Sequence, residues 1–296
     1  MRIMLSPVVV GVDGSAESLA ATAWAAREAT RRGRPLHLLH VREGAARDEA
    51  PIAGAARRTQ ARRVLRQAEE HALAASPGVR LRDDQVEGPA VDVLVKAAGD
   101  AGPLVLGSRG PGRITGHLMG SVALGVVAKA THPVVLVRAD TGTPPVRDEG
   151  TGAGRRDVLL GLDVTEPCDE VIGCAFESAR LRRARLRVLH AWRAPGPLTL
   201  GPGEVGLAGD PGRAEEWLGF LSAVLRVWRD KYPDVDVLET VVRGKPADAL
   251  LRAASTADLL VVGHRLTGRP RAPRTGPVTH ALLQQANCPV AVVPHL

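Results

Sequence analysis

Aromatic residues and cysteines are scarce in this sequence. Phe, Trp and Tyr together make up 2% of the 296 residues, so Ala, Val and Leu have to build the core. Few rings are present on which nucleic-acid bases could stack. The three cysteines, Cys168, Cys174 and Cys288, form no C-x-x-C pair and leave an odd number. This pattern argues against a zinc site and favours a reducing compartment.

Apolar runs long enough to span a membrane are also absent, and so is the pattern of a secretory signal peptide. We therefore expect a cytoplasmic protein with no membrane partner. The formal net charge of +7 permits an anionic partner but does not identify one.

Short apolar runs alternate with helical patterns through the first half of the chain. Strands are predicted over residues 7–12, 35–41, 79–87, 103–107 and 134–138, and helices over residues 15–32, 55–75, 88–98 and 122–131. The first run is apolar throughout, as in a strand that is buried on both faces of a parallel sheet. The alternation predicts a parallel α/β sheet with right-handed crossovers.

The same pattern then occurs a second time. Residues 158–163 repeat residues 8–13 at an offset of 150, and residues 259–263 repeat residues 103–107 at an offset of 156. Because the offset is constant within each part, we interpret the pattern as an internal duplication.

The duplication divides the chain into two domains. We predict one domain over residues 1–140 and the other over residues 156–296. Residues 141–155 between them are aperiodic and rich in Gly, Pro and Thr, which is typical of a linker.

A glycine-rich loop follows the predicted strand over residues 103–107. Gly107, Gly110 and Gly120 would let the backbone approach an oxyanion without a Cβ in the way, and Ser121 is expected to N-cap the next helix. The unpaired N–H groups of a first helical turn attract anions. The order strand, glycine loop and helix start predicts a phosphate site, and the alternative is a glycine-rich surface loop without a ligand.

The spacing Gly107-x2-Gly110-x9-Gly120-Ser121, followed by the strand over residues 134–138, resembles the ATP-binding signature of the universal stress proteins. Two copies cover nearly the whole chain, so the resemblance is to tandem members of that family. It implies two Rossmann-like, doubly wound α/β domains, each a five-stranded parallel sheet flanked by helices, that form an internal pseudo-dimer.

The resemblance also indicates how the two domains meet. In this family the fifth strand of each domain often mediates pairing, so residues 134–137 and 290–293 are the expected seam. Left exposed, such apolar edge strands would promote aggregation. We further expect a homo-oligomer of the whole chain.

The same resemblance implies an ATP site, with Mg²⁺ as a companion of the nucleotide. Asp13 would hold the ribose hydroxyls with its two acceptor oxygens, and Val41 would contact adenine. The loop and the helix start would surround the phosphates. The implied site residues are Val12, Asp13, Val41, Gly88, Leu106, Gly107, Arg109, Gly110, Gly120, Ser121 and Val122.

Strand ends give this assignment independent support. Asp13, Val41, Gly88 and Gly107 each end or follow a predicted strand, so one crevice at the carboxyl edge of the sheet could collect them. Taken alone, Asp13 could equally be a turn former in front of a helix. In combination with the glycine set, ribose binding is the better hypothesis.

The second copy departs from the signature. It keeps Asp163, Gly263 and Gly276, but Leu266 replaces the second loop glycine and Pro277 replaces the serine. Proline removes a hydroxyl and a backbone N–H together. We therefore expect the nucleotide to be bound mainly by the first domain, with the second as a structural or regulatory partner.

The implied function is that of a cytosolic, ATP-binding stress-response regulator with at most weak ATP hydrolysis. Two alternatives stay open, a weak ATPase or nucleotide-processing enzyme and a nucleotide-free dimerisation scaffold. No G-x-x-x-x-G-K-[ST] motif is present, and His40 and His190, at matching strand ends, are weak candidates for a general base. Nucleic-acid binding is disfavoured despite the arginines between residues 57 and 66.

Overall fold

Strands and helices alternate along the chain. The structure is a computed structural model that describes residues 6–42, 51–99, 102–108, 120–139, 157–193, 211–266 and 275–296. The described residues form, in order, β1 (Val8–Gly11), α1 (Ala16–Arg31), β2 (Leu36–Arg42), α2 (Pro51–Ala75), β3 (Leu81–Glu87), α3 (Ala90–Gly99), β4 (Leu104–Ser108), α4 (Ser121–Lys129), β5 (Val134–Arg138), β6 (Asp157–Gly161), α5 (Asp169–Arg182), β7 (Arg185–Trp192), α6 (Pro211–Lys231), β8 (Val237–Arg243), α7 (Pro246–Ala254), β9 (Leu259–Arg265), α8 (Pro277–Gln285) and β10 (Val290–His295). The predicted linker over residues 141–155 lies outside the described residues.

All ten strands belong to one sheet, in the order β3-β2-β1-β4-β5-β10-β9-β6-β7-β8. Neighbouring strands within each half are parallel. In the first half β1 pairs with both β2 and β4, so the winding direction reverses between β1 and β4. The predicted pair of doubly wound, five-stranded parallel units is confirmed.

The two halves join edge to edge through β5 and β10. These strands are antiparallel, with Leu136 opposite Val290 and Val134 opposite Val292. Every residue of β5 is buried. The pairing therefore covers an apolar edge that would otherwise be open to aggregation, and the expected seam is confirmed.

Apolar side chains pack on both faces of the sheet, and each layer includes residues of both halves. Helices α1, α2, α5 and α6 cover one face, and α3, α4, α7 and α8 cover the other. Valine, leucine and alanine dominate both layers, as the scarcity of aromatic residues predicts. Phe176 of α5 is the largest fully buried side chain.

The basic stretch of α2 faces solvent. Arg58, Arg62 and Arg66 are exposed, whereas Val64 and Ala68 on the same helix are buried. This is the arrangement of an ordinary amphipathic helix with a charged outer face.

A buried ion pair links the first helices of the two halves. Arg182 Nη2 of α5 lies 2.6 Å from Glu28 Oε2 of α1, and the two side chains are 3% and 1% exposed. The guanidinium also lies 5.5 Å from the centre of the Trp24 ring. Burial by itself would raise the pKa of Glu28, but Arg182, Arg32 and Arg31 together outweigh that effect and lower its pKa. Each buried charge therefore depends on its partner.

We expect Glu28→Gln to destabilise the protein by about 3–5 kcal/mol, because Arg182 would keep a buried charge without a carboxylate beside it. Urea unfolding at pH 7 measures the loss. The double variant Glu28→Gln, Arg182→Met should recover much of it, since Met keeps apolar contact with Trp24 and buries no charge. A single variant within about 0.5 kcal/mol of the wild type would contradict this account.

The same pair predicts sensitivity to acid. Because the pKa of Glu28 is lowered in the folded state, its stabilisation is present above the ordinary glutamate pKa of about 4.3 and is lost as the pH falls through the lowered value. The difference in unfolding free energy between the wild type and Glu28→Gln should therefore shrink in acid. Urea titrations of both proteins at pH values on either side of 4 measure it, and a constant difference would be the contrary result.

Candidate functional site

A cleft of about 290 Å³ opens at the carboxyl ends of β1 and β4, where the winding direction reverses. Its size is near the lower end of the range of small-molecule pockets, which begins at about 300 Å³. Most of the predicted site residues line it, namely Val12, Asp13, Val41, Leu106, Gly107, Gly120, Ser121 and Val122. Arg109 and Gly110 lie outside the described residues.

Asp13 forms a tight turn at the end of β1. Its Oδ1 accepts hydrogen bonds from the Ser15 amide at 2.9 Å and from the Ser15 hydroxyl at 2.6 Å. Ser15 in turn accepts a bond from the Ser18 amide and N-caps α1. Gly14 has a φ of +83°, which favours glycine in this turn. The turn-forming role weighed for Asp13 is thus observed, and the same turn fixes its carboxylate at the cleft.

The walls of the cleft beneath the strand ends are apolar. Leu39 and Val41 are two residues apart on β2 and line the cleft together with Leu94 of α3 and Leu106 of β4. Sequence reasoning identified Val41 and Leu106 but missed the other two. The period of two along a strand could have found Leu39, since side chains two apart share a face.

The opposite wall includes the first turn of α1. Glu17 and Ser18 line the cleft and were also missed. They lie against Gly107, where a Cβ would be 2.6 Å from the Glu17 carbonyl carbon and 2.7 Å from the Ser18 nitrogen. Gly107 is therefore required by the close approach of α1. This packing reason differs from the predicted approach of an oxyanion.

The start of α4 closes the other end of the cleft. Gly120 is the N-cap, with φ of −55° and ψ of 135°, and Ser121 is the first helical residue. The prediction that Ser121 N-caps the helix is wrong by one position, because the helix already begins at that residue. The first amide bonded within the helix is that of Leu124, to the Gly120 carbonyl. The preceding amides of the turn are therefore left without a helical partner.

Gly88 is placed differently from the other candidates. It does not line the cleft, and it has a φ of +146° between β3 and α3. Its amide donates to the Arg42 carbonyl at 2.9 Å. The conformation requires glycine there for the backbone, and a role in ligand binding stays a prediction.

His40, weighed as a general base, has a structural partner. Its Nδ1 lies 2.7 Å from the Val12 carbonyl oxygen, so it anchors the strand end that carries Asp13. His190 occupies the corresponding position of the second half, with Nδ1 3.1 Å from the Leu162 carbonyl. Both histidines therefore hold the first strand of their domain to the second.

The three cysteines, Cys168, Cys174 and Cys288, are free thiols. Burial, with a smaller effect of Asp258, raises the pKa of Cys288 to about 12. This thiol is protonated at neutral pH and is poorly suited to be a nucleophile. In the described part of the chain, no cluster of three or more His, Cys, Asp or Glu is placed to hold a metal ion.

A second cleft, of about 320 Å³, occupies the equivalent place in the C-terminal half. Asp163 makes the same turn, its Oδ1 accepting from the Thr165 amide at 3.0 Å and the Thr165 hydroxyl at 2.7 Å. Gly276 N-caps α8 and Pro277 is its first residue. The turn is thus retained, whereas the helix start lacks one amide and one hydroxyl.

Comparison with known proteins gives one consistent result. The model of the universal stress protein family matches residues 4–138 and 154–294. A universal stress protein of Mycolicibacterium smegmatis is 32% identical over 303 residues, which cover 97% of this chain and 96% of that protein. One of Mycobacterium tuberculosis is 31% identical over 293 residues and covers 96% of each chain. The crystal structure of a universal stress protein from Archaeoglobus fulgidus, 18% identical, covers 98% of each chain with a TM-score of 0.71 and has the same fold.

None of the helices in the described ranges is long and apolar enough to cross a bilayer.

The two glycines of the cleft should respond differently to alanine. Gly107→Ala is expected to cost about 1–3 kcal/mol, because its Cβ would meet the backbone of α1. Gly120→Ala should change stability by no more than about 0.5 kcal/mol, since no atom of the described residues lies within 4 Å of the new Cβ. Urea unfolding of both variants tests this, and equal losses would contradict the assignment of Gly107 to packing.

Proposed function

The chain belongs to the universal stress protein family, and we propose that it is an ATP-binding regulator of the stress response whose N-terminal domain holds the nucleotide. The observation that carries the proposal is one cleft that combines a fixed carboxylate, an apolar wall and an open helix start. Each of these suits a different part of ATP.

The apolar wall suits the adenine ring. Leu39, Val41, Leu94 and Leu106 present aliphatic side chains to the cleft, and a flat heterocycle would bury its faces against them. Asp13 lies at the rim of that wall, where its carboxylate would accept hydrogen bonds from the ribose hydroxyls.

The start of α4 suits the phosphates. Within the described ranges no atom lies within 4 Å of the position of a Cβ at Gly120, which leaves room there for an oxyanion close to the backbone. The first-turn amides and the positive end of the helix dipole would stabilise its charge. Arg109 and Gly110 belong to this proposal by the sequence signature, and Mg²⁺ would enter bound to the triphosphate.

A regulatory role is favoured over catalysis because His40, weighed as a general base, is held by the Val12 carbonyl. A route to the rest of the molecule is also present. Helix α4 is followed by β5, the strand that pairs with the other half. Nucleotide at the start of α4 would therefore stabilise the element next to the seam, and through it the association of the halves or of whole chains.

The first experiment identifies the ligand directly. Protein purified from cells is denatured, and the released nucleotide is identified by chromatography and counted per chain. One ATP per chain is the expected result. An empty protein that also ignores added Mg-ATP, AMP and cyclic AMP in calorimetry would favour the nucleotide-free scaffold, and phosphate release over hours would favour the weak ATPase.

Ser121→Pro should weaken ATP binding at least about tenfold, because proline removes one amide and one hydroxyl from the proposed phosphate site. Proline is tolerated at the first helical position, so the melting temperature without ligand should be unchanged. Calorimetric titration with Mg-ATP measures the affinity.

Ser121→Ala is the matched control, since it keeps the amide and loses only the hydroxyl. It should lie between the wild type and Ser121→Pro in affinity. Wild-type affinity in the proline variant would place the phosphates away from α4 and remove this part of the proposal.

A further inference from the structure

The two clefts differ at the end where phosphates would lie and agree at the other end. We propose that the C-terminal cleft binds a nucleoside without phosphate groups, such as adenosine, in preference to a nucleotide. This inference rests on the proposed function of the N-terminal cleft, because it takes the ligand of that cleft as its reference.

The nucleoside end of the C-terminal cleft is retained. Asp163 accepts from the amide and hydroxyl of Thr165 as Asp13 does from those of Ser15, at nearly the same distances, although Val164 replaces Gly14 in the turn. Leu189, Leu250 and Val262 form an apolar wall, at positions that correspond to Leu39, Leu94 and Leu106 in the first cleft. A heterocycle with a vicinal diol therefore meets the same groups in both clefts.

A buried polar atom adds a second indication of a ligand. His190 lines the cleft and is 4% exposed, and its Nε2 has no hydrogen-bond partner within the described residues. Leaving such an atom unpaired is costly, and a ring nitrogen or amino group of a base could pair with it. Next to it, Ala191 stands where Val41 stands in the first cleft, which leaves more space.

Among the described residues, the phosphate end of the C-terminal cleft has fewer donors than that of the first cleft. Pro277 has no N–H at the first position of α8. The amide of Leu266, which replaces Gly110, donates to the His295 carbonyl at 2.7 Å and so extends the sheet. His295 is the last residue of β10 and pairs with Arg265 of β9.

Charged and polar side chains line the C-terminal cleft near Gly263 and Arg265. The His295 ring lies over Gly263, with Nε2 3.0 Å from where a Cβ would be. Arg265 corresponds to Arg109 of the first half. Its Nη2 lies 2.8 Å from Glu166 Oε2, and both residues line the cleft. Both side chains are about half exposed, so the pair itself is weak, but the Glu166 carboxylate still places a negative charge beside the position of a phosphate and leaves an uncharged nucleoside unaffected.

Matched variants separate the two clefts in the full chain. Val41→Phe fills the base end of the first cleft, and Ala191→Phe fills the corresponding position of the second. Nucleotide-free protein is titrated calorimetrically with adenosine and, separately, with Mg-ATP. We expect Val41→Phe to weaken ATP binding at least about tenfold while one adenosine site per chain remains, and we expect Ala191→Phe to remove that remaining adenosine site and to leave ATP binding unchanged.

Each other outcome has a definite meaning. Adenosine binding that is lost in Val41→Phe but kept in Ala191→Phe would overturn the inference and leave the proposed function intact. The inference would also be overturned, with the proposed function unaffected, if the protein bound no adenosine or if the Val41→Phe protein bound ATP as tightly as adenosine. If Ala191→Phe abolishes adenosine binding while no form of the protein binds ATP, the proposed function fails and the inference stands.

A gain-of-function variant covers the case in which Ala191→Phe does not fold. Pro277→Ser restores an amide and a hydroxyl at the start of α8. In the Val41→Phe background it should raise the affinity of the second cleft for ATP about tenfold and leave that for adenosine unchanged. Unchanged ATP affinity would show that Pro277 does not set the preference and would overturn the inference.

Discussion

The antiparallel pairing of β5 with β10 is the constraint on which the rest of the structure depends. Each half ends in an apolar strand at the edge of its sheet, and backbone groups on such an edge need partners. Pairing the two edges satisfies them and makes one sheet of ten strands. The apolar layers on both faces then include residues of both halves, so the halves stabilise each other through packing as well as hydrogen bonds.

A buried ion pair also favours the pairing of two different halves over the pairing of two identical ones. Glu28 and Arg182 form one buried ion pair across the molecule. At the offset of 150, Glu28 corresponds to Ser178 and Arg182 to Arg32. Two copies of the second domain would therefore place two buried arginines together without a carboxylate. One half supplies the carboxylate that the other lacks, which favours the internal pairing over that alternative.

Duplication has kept the parts of the cleft that the fold itself needs. The Asp-Ser and Asp-Thr turns position the segments that follow β1 and β6, and the histidines hold the strand ends, so both halves retain them. The first positions of α4 and α8 have fewer structural roles of this kind among the described residues. A Cβ at Gly120 would lie within 4 Å of no atom of the described residues, and a proline is acceptable at the first position of α8. Those positions were free to diverge, and the two clefts differ there.

The sequence by itself determined the order of strands and helices, the duplication and the composition of the core, because these follow from periodicity and repetition along the chain. It also indicated about half of the residues that line the first cleft, through the resemblance to the universal stress proteins and the convergence of strand ends in a parallel sheet. Only the tertiary structure decided that the close approach of α1 requires a glycine at position 107. It also decided that Gly120 and not Ser121 caps α4, and that Glu17 and Leu94 line the cleft. It alone revealed the Glu28–Arg182 pair and the bond from Leu266 to His295. These features join residues that are distant in the chain or depend on the point at which a helix begins, and no local pattern encodes them.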